Sequence, residues 1–472
     1  MPPVTSTETP PSRTGSAPGK GPRTWTAGTL TYTTGGLIAL FLWLLWGDFS
    51  WAMRERSVGP MAQWYLQHLQ VPNLVFALLI TSFPALVGLI LGPIISYKSD
   101  RHRGPRGRRI PFLLVTTPIA AFGMLGIALC PILGPALHAA LGAYSPGEKI
   151  STLICFGVFW AAFEFATIAA QAVFGGLIND VVPQPLLGRF YGLFRAVSLI
   201  DGMIFNFWLI GKLDTHFTLI LAAVAVFYGT AFFTVCLKVK EGTYPPPPPP
   251  EPGAPGALGG FFRGARTYLR ESFSHPYYLG VFSFITIAAL TFMPVNIFSI
   301  PYARGLEMSM QTYGRCLTLT FAISLVLAYP LGWLADLLHP LRMSLACVLG
   351  YLAVAAWGAF FARDPDSFAI ALVLHGVLSG CYFTSAASLT LRLFPRARFA
   401  QFASAAGILT SLTNMAIGPV VGSVVDLTGN RYYHTFTIGC LIAATAFAIG
   451  LHVHRNFMRL GGPKGYVAPA TG

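Results

Sequence analysis

Long apolar runs broken by short polar stretches dominate this chain. "GGLIALFLWLLWG" and "LVFALLITSFPALVGLILGPII" are each near or beyond the length that crosses a bilayer. Read run by run, the pattern predicts helices at about 27–52, 73–97, 110–132, 150–178, 188–211 and 216–237. After one long polar connection it predicts six more, at about 276–303, 311–338, 341–362, 366–394, 398–425 and 431–454. The connection contains "KVKEGTYPPPPPPEPGAPGALGG", a linker by composition, then "FFRGARTYLRESF", which reads as a short amphipathic surface helix.

The expected fold class is therefore an all-α membrane protein. Twelve transmembrane helices form two pseudo-symmetric six-helix bundles. The expected units are a tail at 1–26 rich in Pro, Ser, Thr and Gly, a bundle at 27–237, a cytoplasmic linker at 238–275, a second bundle at 276–455, and a tail at 456–472. The first apolar segment is too long for a cleavable signal and is expected to stay as helix 1.

Composition excludes the soluble alternative. Charged residues make up 10% of the chain, against about 25% in ordinary soluble domains. The net charge of +14 would suggest nucleic acid in a soluble protein, but here the placement of the charges matters more. With both termini cytoplasmic, the inner segments hold 22 Lys and Arg and the outer loops 7. That bias predicts a multi-pass cell-membrane protein (bacterial inner membrane or equivalent) with both termini inside. The basic run "SYKSDRHRGPRGRRIPFLL" becomes the cytoplasmic loop between helices 2 and 3, a topology signal with an attraction for acidic lipid and no nucleic-acid partner. The seven cysteines lie in or beside apolar spans with no metal-ligand spacing, so neither a metal nor a disulfide framework is expected. No phosphate loop, zinc-protease motif or nucleophile constellation is present, which argues against an enzyme.

The two halves resemble each other. Helices 2 and 8 each end with a small residue four positions before an acid, Ser96 to Asp100 and Gly332 to Asp336. Loops 4–5 and 10–11 each run into Pro183 or Pro395, followed by Arg189-Phe190 or Arg398-Phe399. A chain of two six-span halves resembles the major facilitator superfamily. Ser99, Asp100, Arg101, Gly107, Arg108, Arg109 and Pro111 are similar to the loop 2–3 motif of its glycoside–pentoside–hexuronide and sucrose–proton symporter branch. In helix 4, Glu164, Gln171 and Asp180-Val181 resemble the sucrose–proton symporter pattern, although that family usually carries Asp at the first position. The resemblance implies alternating access with a sugar or glycoside as substrate, a sucrose-like disaccharide among them. It also gives a gating role to Asp100, Arg101, Gly107, Arg108, Arg109, Asp336 and Arg189.

Ionisable groups inside spans are costly and mark a cavity or a partner. Here they are Glu164 in helix 4, Arg195 and Asp201 in helix 5, Asp48 near the outer end of helix 1, and His375 in helix 10. At 100° per residue, Glu164 and Gln171 share one helix face, Arg195 and Asn206 share another, and Asp201 points about 120° away. Glu164 with Arg195 is the favoured proton-coupling pair, with Asp201 as the other acid at that depth. Asp48 sits among Trp43, Trp46 and Trp51, and an acid among indoles suits a pyranose. An interfacial aromatic belt explains the same residues. Gln171, Asn206, Asn296 and His375 complete the candidate substrate set. Helix 2 carries no acid, so a proton is the expected coupling ion and no other cofactor is needed. The expected function is proton-coupled symport by a monomer. Efflux or antiport of another substrate, and sugar sensing without transport, are the alternatives.

Overall fold

The computed structural model describes residues 24–246, 273–395 and 399–469. The linker's centre, the amphipathic segment proposed there and Arg398 lie outside them. A hairpin of β1 (Thr24–Ala27) and β2 (Leu30–Thr33) precedes the first helix. Helix 1 therefore starts later than the apolar pattern predicts, because the alternating Thr and aromatic residues of "TWTAGTLTYT" pair as strands across a turn at Gly28.

The helices then follow in order: α1 (Thr34–His68), α2 (Asn73–Arg101), α3 (Ile110–Tyr144), α4 (Glu148–Val181), α5 (Leu187–Ile204) and α6 (Leu213–Lys238). Beyond the linker come α7 (Pro276–Gly305), α8 (Met310–Leu338), α9 (Pro340–Phe361), α10 (Pro365–Ala386), α11 (Phe399–Leu427) and α12 (His434–Arg459). Eleven helical stretches among the described residues are long and apolar enough to cross a membrane. One of these, 184–238, holds both α5 and α6. A π-helical turn at Phe205–Leu209 and a non-helical His216 break it.

The largest departure from the sequence pattern is α1. The Arg54-Glu55-Arg56 triplet was expected in an outer loop, yet the helix runs straight through it for 35 residues, about 52 Å. Apolar residues continue beyond the triplet at 3–4 spacing, and Val58, Met61 and Tyr65 are buried. That packing face keeps the helix intact, and it places Asp48 well inside the helix instead of near an end.

In the first half α3 packs on α4 and α6, α1 on α5 and α6, and α2 on α4. In the second, α9 packs on α10 and α12, α8 on α10, and α7 on α12. The halves meet through α2 on α11 and α5 on α8. These contacts are unequal along their length. On the side away from the 102–109 loop, one apolar core runs continuously from the first half into Leu290–Ala303 of α7, Tyr313 of α8 and Phe436 of α12. On the loop side, the second half keeps a separate core around Tyr278, Phe282, Leu345, Phe402 and Phe457.

Polar contacts between the halves follow the same bias. Asp426 of α11 caps the start of α2, accepting from the backbone N–H of Asn73 at 3.1 Å and of Leu74 at 2.9 Å. Asn73 also donates to Asn430 at 2.7 Å and accepts from the Tyr432 hydroxyl at 3.1 Å. Where α8 crosses α5, Gly314 lies so close to the Asn206 carbonyl that any Cβ would collide with it. On the loop side Val326, Tyr329 and Trp333 of α8 are exposed. The halves are sealed at one end and splayed at the other.

Candidate substrate cavity and loop clasp

Three helices build the first cavity, each presenting positions i, i+3, i+4 and i+7. These are Asp48, Trp51, Ala52 and Glu55 of α1, Gln171, Phe174, Gly175 and Ile178 of α4, and Tyr191, Phe194, Arg195 and Ser198 of α5. The volume is about 480 Å³, within the range of small-molecule pockets. Asp48 is 6% exposed and one of its carboxylate oxygens has no hydrogen-bond partner. Trp51 stacks on Phe174 with ring centroids 5.0 Å apart.

Trp51 is the indole in this cavity, and the expected Trp43 and Trp46 lie elsewhere. Trp46 is 44% exposed and stacks with Phe49 at 6.2 Å and edge-on with Phe227 at 5.4 Å. Trp43 packs near the Lys238 ammonium, 6.0 Å from its ring.

The expected Glu164–Arg195 pair is not formed. Glu164 is buried, and the cation whose charge reaches it is Arg54, which the sequence pattern had left in a loop. The Arg54 guanidinium is itself buried, 4.2 Å from the Trp51 ring and 5.4 Å from that of Tyr228. Aromatic faces thus replace part of the hydration that a buried cation loses. Arg195 instead sits beside Glu55 and Arg56. Asp201 is fully buried, lines neither cavity, and leaves both carboxyl oxygens without a hydrogen-bond partner.

A second cavity of about 420 Å³ lies between the halves. Arg56, Gln63 and Arg195 face Asn296, Thr320 and His375 across it. Asn296 Oδ1 accepts from His375 Nε2 at 3.0 Å, and the Tyr351 hydroxyl lies 2.8 Å from His375 Nδ1, so the ring is held at both nitrogens. Asn206 lies in the π-helical turn, donating to the Gly202 carbonyl at 2.7 Å, outside both cavities.

The basic loop closes on the ends of α4 and α6. Arg108 forms a two-pronged pair with Asp180, at 2.6 and 2.9 Å. Arg109 bridges Asp100 at 2.5 Å and Asp180 at 3.4 Å. Asp100 is thus paired with Arg109 of the loop. The cap on α3 comes from Glu241, just beyond α6, whose carboxylate accepts from the backbone N–H groups of Arg108, Arg109 and Ile110 at 3.0, 2.8 and 2.7 Å. Gly107 has φ +98° and a Cβ there would meet Glu241, so this approach requires glycine.

Tyr244 completes the clasp. Its hydroxyl donates to Glu241 at 2.8 Å and its ring lies 4.2 Å from the Arg108 guanidinium. Burial and then Glu241 push the Tyr244 hydroxyl above its ordinary range, so it remains a donor. The Asp180 hydrogen bonds hold Arg108 still more firmly protonated than usual. Arg101 lies over Tyr97, 4.4 Å away, and Arg189 is exposed at the start of α5. Asp336 sits near the end of α8, with its side chain outside what the structure describes.

Sequence reading missed Arg54, Glu55, Arg56, Glu241 and Tyr244. The continuing 3–4 spacing of apolar residues after Arg56 was the available signal for the first three. None marked the last two, which act through distant backbone.

Residues 295–456 match the family model described as Major Facilitator Superfamily. A sucrose transport protein of Arabidopsis thaliana is 24% identical over 156 residues, covering 33% of this chain and 30% of that protein. The chain thus matches under a third of that relative's length. Among solved structures, the inward-open xylose transporter XylE from E. coli has a TM-score of 0.61 at 13% identity, covering 88% of this chain and 96% of that one. The nucleoside transporter NupG has 0.63 at 10%, covering 88% and 99%. A bacterial homologue of the human lysosomal transporter Spinster, inward-facing and unoccupied, has 0.62 at 14%, covering 92% and 98%.

Proposed function

We infer that this chain, a transporter of the Major Facilitator Superfamily, is a proton-coupled symporter of a sugar or glycoside. The observation that carries this reading is the first cavity, where an indole, two carboxyls, an amide and a guanidinium converge from α1, α4 and α5. Rings cover the apolar face of a pyranose while carboxylate and amide take its hydroxyls. The sucrose transport relative supports the same substrate class, while the solved neighbours, which include xylose, nucleoside, peptide and metal carriers, support the carrier fold.

The layout we propose is twelve spans in two six-helix bundles. The 55-residue stretch 184–238 would be roughly 80 Å long if straight, and counts as two spans. Arg54 and Arg56 lie inside α1 and so leave the outer loops, and the Lys and Arg bias still favours cytoplasmic termini and a cytoplasmic 102–109 loop. The splayed end is then the cytoplasmic one, and the conformation is inward-open. We take the carrier to act as a monomer in the cell membrane, with the proton as coupling ion and no cofactor.

Glu164 is the coupling acid in this scheme, through Arg54. An ionised Glu164 attracts Arg54, and a protonated one does not. Arg54 belongs to the helix that also carries Asp48 and Trp51, so the proton on Glu164 biases the position of the substrate-binding face.

Purified carrier in proteoliposomes with an imposed proton gradient tests this. Gradient-driven accumulation of a sugar from a mono- and disaccharide panel is expected. Glu164→Gln should abolish accumulation and leave substrate exchange. Undiminished accumulation in that variant removes Glu164 from the coupling. Movement of substrate against the proton flux would favour antiport, and binding without flux would favour a sensor.

A further inference from the structure

We propose that Asp426 is the latch of the sealed end: its cap on α2 holds the halves together there and must break before the carrier opens on that side. This rests on the carrier reading above, in which the halves open at alternate ends, and needs neither the sugar nor the proton.

The seam between α2 and α11 is built at four-residue spacing. Asn73, Ala77 and Thr81 of α2 face Gly422 and Gly418 of α11, with Asp426 one turn further on. A Cβ at Gly418 would collide with the Thr81 hydroxyl, and one at Gly422 would lie 2.6 Å from the Asn73 carbonyl. The helices therefore touch at backbone distance. They run antiparallel, with Ser82 donating to the Met415 carbonyl at 2.6 Å farther along.

Asp426 closes this seam at its end. One carboxylate oxygen accepts from the backbone and side-chain amides of Asn73, at 3.1 and 2.7 Å, and the other from the backbone N–H of Leu74 at 2.9 Å. Both backbone donors belong to the first turn of α2, where the preceding Pro72 offers no side-chain cap. A carboxylate placed there gains from the unsatisfied N–H groups and from the helix dipole together.

A repeated motif gives this acid a counterpart. Near its end α2 reads "GPIISYKSD", residues 92–100, and α11 reads "GPVVGSVVD", residues 418–426. Gly, Pro and Asp coincide, with an apolar pair and a small residue at matching places. Because the helices are antiparallel, the two acids lie at opposite ends of the pair. Asp426, at the sealed end, reaches across to the other half, whereas Asp100, at the splayed end, is paired with Arg109 of its own half. The acid that crosses marks the end that is shut. Opening that end returns the Asn73 and Leu74 amides to water, so the cap biases the carrier toward the present state.

Hydrogen–deuterium exchange of the purified, substrate-free full chain reads both ends at once. Asp426→Asn keeps the side-chain volume and one acceptor but turns an amide N–H toward the α2 donors. Exchange in 73–81 and 418–426 should rise about tenfold, while exchange in 92–100 and 326–333 falls as the splayed end closes. Gly422→Ala, which pushes on the Asn73 carbonyl and leaves the acid in place, should produce the same reciprocal change. The fall at the far end is what a merely structural contact would not give. In Asp426→Asn, faster exchange at both ends, or at the sealed end alone, makes Asp426 a packing residue and overturns the proposal. Gly314→Trp, at the other crossing of the sealed end, separates the two readings. Reciprocal exchange in Gly314→Trp or Gly422→Ala without it in Asp426→Asn overturns the latch and leaves alternate opening standing. One-ended or absent changes in all three variants overturn both.

Discussion

At the scale of single residues, position within a helix decides what a charge can do. Asp48 is buried in α1 with one carboxylate oxygen unpartnered, facing Gln171 and Arg195 across the cavity. A ligand hydroxyl is the natural donor for that oxygen, since a buried acceptor without one costs about 1–3 kcal/mol. Asp48→Asn is therefore expected to weaken substrate affinity about tenfold while leaving the unfolding temperature near that of the parent chain. Calorimetric titration with the transported substrate checks this, and unchanged affinity returns Asp48 to a packing role. Its burial was not legible from "WLLWGDFSWAM" alone, because the same residues suit an interfacial aromatic belt. The difference lies in whether the helix ends nearby, and it does not.

At the scale of elements, most boundaries were legible. The predicted 311–338 and 341–362 correspond to Met310–Leu338 and Pro340–Phe361, since apolar length, the Ser309 cap and Pro340 at a helix start are local signals. The exception is α1, where three consecutive charges looked like a loop. Arg54 instead finds the Trp51 and Tyr228 rings, and Arg56 finds Ser198. The cap on α3 is another case. Helix starts usually draw their acceptor from a residue just before them, but here it arrives from Glu241, 132 positions beyond Arg109. Glu241→Ala should uncap three backbone donors and lower stability by about 1–2 kcal/mol. The unfolding midpoint of the detergent-solubilised protein reads that loss. Glu241→Gln, which keeps an acceptor, should recover part of it.

At the scale of the whole molecule, the seal at one end and the splay at the other define the state. The α5–α8 crossing depends on Gly314 against the Asn206 carbonyl. Gly314→Trp should prevent this closure and hold the carrier open on the side away from the 102–109 loop. Spin-label distances between the ends of α5 and α8 on that side should lengthen, and transport should stop with substrate binding intact. Unchanged distances would mean that the crossing is not a gate. Internal similarity between the halves was visible in the paired loops, whereas the inequality of their contact was not. Which end closes depends on packing between residues a hundred or more positions apart.

The sequence by itself determined that this is a membrane-spanning helical protein, where most of its helices lie and how its charges bias its orientation. Each follows from local quantities: apolar length, helical period, and the count of Lys and Arg in short loops. Tertiary structure alone decided the partners, giving Arg54 the Trp51 and Tyr228 rings, Arg56 the Ser198 hydroxyl, the start of α3 Glu241 and the start of α2 Asp426. The physical reason is that a buried charge must be matched by whatever the fold brings beside it. In a chain with so few charges, that match is made across space and leaves no trace in the spacing along the sequence.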